Sequence, residues 1–129
     1  MTQATQIIIP VQGDASGIPP YRIAMTSSTQ LNRVVLANTA TSASLGFSLL
    51  GVTGELGLDP NAMGDLTVMG VGYVQTSQVG MPIGSPLTSE VQGKAVIANA
   101  VGQRIVGYLL EPTTVLDQIC KILVCPGVF

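Results

Sequence analysis

The chain writes one pattern twice, and that repetition limits what it can fold into more than any single residue does. Arg33–Leu50 reads RVVLANTATSASLGFSLL, and Gly93–Glu111 reads GKAVIANAVGQRIVGYLLE. At a shift of 61 positions Arg33 falls on Lys94, Val35 on Val96, Ala37 on Ala98 and Asn38 on Asn99. Further along, Leu45 falls on Val106, Gly46 on Gly107, Phe47 on Tyr108 and Leu49 on Leu110. Two copies of one supersecondary unit share a core when neither copy can bury its apolar face alone. Each copy here holds a few short apolar segments, fewer than an independent sheet needs.

Most segments are short, rich in β-branched residues and divided by Gly, Ser, Thr or Pro, which predicts strands. The expected strands are Tyr21–Thr29, Arg33–Asn38, Leu45–Leu50, Asp65–Tyr73, Lys94–Asn99, Arg104–Leu110 and Gln118–Val124. Gly70 and Gly72 inside one of them predict a bulge or a close backbone approach. Asp59-Pro60 fits the start of a single helical turn. Residues 115–123 carry both a strand and a helical pattern. Strand is favoured, because its counterpart DLTVMGV is a poor helix. Matching Asp65–Val71 with Gln118–Val124 needs a shift of 53, which places eight extra residues in the Gly-rich stretch Gly51–Gly64. The fold class is all-β: a small, β-tulip-like barrel or sandwich built from two strand-turn-strand copies, about 21–71 and 80–124, in one domain spanning 21–129.

Met1–Pro20 reads as an extended N-terminal arm. Its IIIPV run carries Pro10, which is barred from a central strand. Ile7, Ile8 and Ile9 are therefore interface candidates, by strand addition to a neighbour or along an edge of the same domain.

The chain has 47% apolar residues and only 9% charged ones, far below the ~25% charge of an average domain. Much of its exterior must be small and polar, or covered by an interaction surface. The five basic residues, Arg22, Arg33, Lys94, Arg104 and Lys121, are scattered, so no nucleic-acid partner is expected. No run approaches the ~20 apolar residues of a membrane span. The N-terminus lacks the pattern of a signal peptide, so a soluble, cytoplasmically made protein is expected.

There is no His, which removes Ser-His-Asp and Cys-His chemistry and His-ligated metal. The seven acids sit singly in turn-like contexts that explain them. Neither GxGxxG nor a Walker-type motif occurs. No enzyme, cofactor or metal is expected. Cys120 and Cys125, five positions apart on one strand, would lie ~16 Å apart on opposite faces, so two buried free thiols are expected.

The copies differ in one respect. Leu45/Phe47/Leu49 and Val106/Tyr108/Leu110 read as a shared core face. Behind it, Ser44/Gly46/Ser48 is polar, whereas Ile105/Gly107/Leu109 is apolar. Ile105 and Leu109 must then be covered, either by a partner or by the chain itself.

Val79–Val124 resembles the small decoration, or cement, proteins of tailed-bacteriophage capsids. The resemblance rests on Pro86–Ser89 (PLTS), Gly93–Ile97, the Gly-x-Arg-Ile-x-Gly pattern with its acid in Gly102–Glu111, and the aliphatic run Ile119–Val124. It departs from the pattern at Pro112–Asp117, where an Ala-rich, Gly-containing turn is usual. The resemblance implies a homotrimer on the outer surface of the head, with the major capsid protein as partner, stabilising the shell against genome pressure. The other reading kept open is a small β-barrel that binds a hydrophobic ligand.

Overall fold

The alternating and β-branched segments become strands. The computed structural model describes residues 6–27, 33–37 and 49–129. It contains β1 (Gln6–Gly13), β2 (Ile23–Thr26), β3 (Arg33–Leu36), β4 (Leu49–Thr53), β5 (Met63–Gln75), β6 (Pro86–Ser89), β7 (Ala95–Ile97), β8 (Arg104–Leu109) and β9 (Ile119–Val128). The strands form one sheet in the order β1-β3-β2-β4-β5-β9-β8-β6-β7. β1 also pairs with β5, so β1, β3, β2, β4 and β5 close a partial ring. The architecture is all-β, of the small barrel or sandwich kind. Among the described residues the sole helical piece is a short 3-10 turn at Val91–Gly93. Asp59-Pro60 forms a plain turn, with Asn61 taking up the left-handed backbone (φ 58°). Of the two patterns at 115–123, strand prevails from Ile119 onward.

The two halves repeat one hydrogen-bonding scheme, but the repeat begins earlier than residue 21. β1 runs antiparallel to the first half of β5, from Gln12↔Met63 to Ile8↔Thr67. The second half of β5 runs against β9 in the same register, from Gln75↔Ile119 to Val71↔Leu123. β2 pairs with β3 and β4, as β6 pairs with β7 and β8. Even the parallel contacts match: Gly13↔Val34 in one half and Thr76↔Ala95 in the other. The segment read as an arm is therefore the opening strand of the first unit, and of the two arrangements left open for it the chain adopts pairing within itself. Its counterpart is the second half of β5, which ends one unit and begins the next.

Side chains repeat the scheme. Gln12 Nε2 donates to the Asn61 carbonyl at 2.9 Å, and Gln75 Nε2 donates to the Asp117 carbonyl at 3.3 Å. Arg33 Nη1 donates to Asn61 Oδ1 at 2.9 Å, and Lys94 Nζ makes a salt bridge with Asp117 Oδ1 at 2.9 Å. Asn61 and Asp117 share a left-handed backbone, φ 58° and 59°. Asn and Asp tolerate that conformation better than other non-glycine residues. The pairing of Arg33 with Lys94 stands, because Val35 faces Met25 as Val96 faces Thr88.

The register shifts after Ala37. Gly51, and not Gly46, stands in the place of Gly107. A Cβ at Gly51 would lie 2.0 Å from the Thr67 carbonyl oxygen, and one at Gly107 would lie 2.0 Å from that of Leu123. Thr67 thus matches Leu123, and Val52↔Thr67 matches Tyr108↔Leu123. Gly51 stands 56 positions before Gly107, so the first unit is longer by five residues between Ala37 and Gly51. The Gly-rich stretch does not carry the eight-residue insertion expected of it, because β4 extends through Gly51. Asn38, Ser44, Leu45, Gly46, Phe47 and Ser48 lie outside the described residues.

Two apolar clusters follow from this layout. The first unit encloses Ile18, Ala24, Val34, Leu58 and Leu66. The second encloses Val74, Leu87, Val106, Leu109, Ile122 and Val124, and adds Ile23, Met25 and Val52 from the outer face of the first. The first unit is thus covered on both faces of β2 and β4. Each such Val, Leu, Ile or Met side chain contributes about 1.5–3 kcal/mol on burial. The twin close approaches give a direct test. Gly51→Ala and Gly107→Ala should each lower stability by more than about 2 kcal/mol in urea unfolding, since the strands must separate to admit the methyl group. Gly54→Ala, where a Cβ meets nothing within 4 Å, should change it by less than about 0.5 kcal/mol. Equal behaviour of all three would show that the close approaches impose no constraint.

Candidate functional site

A strand with one wet face normally alternates polar with apolar residues. β1 does not. Ile7, Ile8 and Ile9 are consecutive and all three are exposed, Ile7 at 52% and Ile9 at 37%. Pro10, next in the strand, cannot donate to a ladder and is also exposed. The three isoleucines chosen from the sequence as interface candidates therefore lie on the surface of the described fold.

Ile105 and Leu109 do not. Both are buried, Leu109 within the larger cluster. The chain covers them itself. The inversion has a local cause: the β8–β9 register shifts between Ile105 and Gly107, which turns Ile105 and Val106 both inward. Tyr108 and Leu110, assigned to the core by simple alternation, emerge on the exposed face. Beside Tyr108 on β9 stands the exposed Leu123. Strict period-two counting misses this face, because one bulge reverses the parity of everything beyond it.

A groove of about 590 Å³ lies between β1 and the turn that follows β4. Its apolar lining includes Ile8, Tyr21, Leu56, Met63 and Tyr73, and Glu55, Asp59 and Asp65 also line it. Tyr21 and Tyr73 meet edge to face, with ring centroids 6.5 Å apart. Arg22 ties the same region together. Its Nε and Nη2 donate to Gln75 Oε1 at 3.1 and 2.7 Å, and its Nη1 donates to the Gln92 carbonyl at 3.0 Å. The groove draws Tyr21 from one unit and Tyr73 from the other, so no local sequence pattern announces it.

The other carboxylates have structural tasks. Asp14 Oδ1 accepts the backbone N–H groups of Ser16 and Gly17 at 3.1 Å each, and Glu111 Oε1 accepts that of Lys121 at 2.7 Å. Glu90 accepts the Ser77 hydroxyl, and Asp117 pairs with Lys94. Among the described residues no three His, Cys, Asp or Glu side chains gather as metal ligands. No helix there is long and apolar enough to cross a membrane.

Both cysteines are free, but only Cys120 is buried; Cys125 is exposed. Being five apart on β9 puts them on opposite faces. Burial pushes the Cys120 thiol up, the nearby Glu111 carboxylate adds to that, and a hydrogen bond with Thr76 opposes it. A thiol held protonated in an apolar setting is a poor nucleophile.

By fold, the chain is similar to the head fiber gp8.5 N base in bacteriophage phi29. The two match with a TM-score of 0.64 over 93% of this chain and 94% of that one, at 15% sequence identity. No protein-family model matches the sequence, and no curated protein matches it significantly.

Four outcomes follow from this geometry. Iodoacetamide should add once to the native protein, at Cys125, and twice after unfolding. Stability relative to Cys120→Ala should be level at neutral pH and should fall as pH rises through 9.0, where the unfolded thiol ionises while the folded one resists. Leu109→Asp should cost well over ~3 kcal/mol by burying an unpaired charge. Tyr108→Asp should leave the far-UV circular dichroism spectrum native.

Proposed function

We propose that the protein is a structural component of a tailed-bacteriophage virion, bound to the outer surface of the head as a decoration or cement protein. One observation carries the reading: the likeness to a phage head fiber base extends over 93% of the chain and is not confined to one hairpin. Three features support it. The chain is poor in charge, β1 presents a wet apolar run, and the described residues gather no three side chains that could hold a metal ion. In this reading the protein is not an enzyme and needs no cofactor. Its partner is the major capsid protein, it acts as a homotrimer, and it contacts neither DNA nor membrane. It is made in the host cytoplasm and ends on the virion. Binding is by area, through apolar contact and strand addition, and it holds neighbouring capsid subunits together against the pressure of the packaged genome.

The test is co-sedimentation of the purified protein with expanded heads and with proheads of its phage. Saturable binding to expanded heads, weak binding to proheads, and a higher burst temperature of decorated heads are the expected results. A protein that leaves expanded heads undecorated, or that is missing from purified virions, would overturn the proposal.

The groove favours a second reading, a binding module for a hydrophobic ligand. Its volume and its lining by Ile8, Leu56, Met63 and the two tyrosines suit a small apolar molecule. Native mass spectrometry of the protein purified from its host decides this: a stoichiometric small molecule supports the second reading, and a bare chain mass removes it.

A further inference from the structure

We infer that a second copy of this chain docks head to tail, with the Ile7–Ile9 run of one molecule laid over Tyr108 and Leu123 of the next. The argument starts from the repeat. Inside the chain, the second unit's opening strand crosses the outer face of the first: a Cβ at Gly72 would lie 3.0 Å from Val52 Cγ2 and 3.6 Å from Thr67 Cγ2. That crossing buries both Val52 and Thr67.

The same two surfaces exist a second time, without occupants among the described residues. The position equivalent to Gly72 on the first unit is Ile9, since Ile9 faces Leu66 as Gly72 faces Ile122. The positions equivalent to Val52 and Thr67 on the second unit are Tyr108 and Leu123, which pair across β8 and β9 as Val52 and Thr67 pair across β4 and β5. Ile9 is 37% exposed, Tyr108 40% and Leu123 41%. Were these faces meant for water, polar residues would be the natural choice there. Instead the wet positions carry larger apolar side chains than the covered ones, Tyr for Val and Leu for Thr. One end of the chain offers the covering strand and the other offers the surface it covers. The larger side chains hold the strands further apart than the glycine contact does, so the contact between molecules repeats the internal one in register and not in closeness.

A contact between two different surfaces is heterologous and propagates until a rotation closes it into a ring. The inference rests on the self-association part of the preceding proposal and is independent of the capsid part.

The test uses the full chain carrying Cys125→Ser, so that engineered cysteines are the accessible ones. Ile9→Cys and Tyr108→Cys are prepared separately, mixed, dissociated, reassembled and treated with a short bis-maleimide. The mixture should give covalent dimers, and neither variant alone should. Ile9→Asp and Tyr108→Asp should each reduce the mass seen by light scattering to that of a monomer while keeping the native circular dichroism spectrum. Crosslinking of Ile9→Cys with itself would overturn the head-to-tail contact in favour of a symmetric one. A wild-type oligomer whose mixture does not crosslink would overturn this contact and leave self-association standing. A wild-type monomer at high concentration would overturn both. Crosslinked oligomers that ignore expanded heads would overturn only the capsid proposal.

Discussion

The structure depends on one strand serving two units. β5 is thirteen residues long, pairs with β1 and β4 along its first half, and pairs with β9 along its second. Gly70, with φ 95°, sits where those roles change over. Glycine adopts that conformation without the steric cost any other residue would bear. The bend lets Gly72 fold back over Val52 and Thr67, so the end of one unit becomes the roof of its own outer face. Ile23, Met25 and Val52 of the first unit join the larger apolar cluster, which ties the two units together.

What the two units preserve is geometry, and what they vary is surface. The Gln–carbonyl bonds and the tight glycines recur with the same residue types, and the basic–Asn/Asp pairs and left-handed turn residues recur with Lys for Arg and Asp for Asn. These groups satisfy backbone polarity at the turns or admit close strands, and both needs are absolute in a chain with so little charge. The exposed positions have diverged. Tyr108 and Leu123 replace Val52 and Thr67, while Ile9 replaces Gly72. That divergence falls on outward faces, which are free to change once the internal crossing is not required of them.

Much of the fold is legible without coordinates. The all-β class, the strands of Asp65–Tyr73 and Arg104–Leu110, the strand after Gln118 and the match of Arg33 with Lys94 all follow from alternation, turn chemistry and the repeat. The later register is not legible. Gly46 and Gly51 are equally good matches for Gly107 by type, and only the carbonyl of Thr67 against Gly51 distinguishes them. The exposure of Tyr108 and the burial of Ile105 depend on a one-residue bulge, which reverses faces and leaves no local mark. The groove was illegible for a different reason, since Tyr21 and Tyr73 lie in different units.

By itself the sequence determined the kind of unit and the number of times it is used. Short β-branched segments, Gly and Pro between them, and a duplicated Arg/Lys-to-Asn stretch admit little else than a twofold repeat of strands. It also removed histidine-based chemistry outright. Tertiary structure alone decided that Ile7–Ile9 belong to a sheet strand yet stay exposed, that Leu109 is core while its neighbour Tyr108 is surface, and that Tyr108 and Leu123 stay exposed where their counterparts Val52 and Thr67 are covered. The physical reason is that alternation specifies two faces of a strand but not which face meets the core. That choice is made by long-range packing, where one strand crossing another decides which apolar residues are covered and which stay exposed.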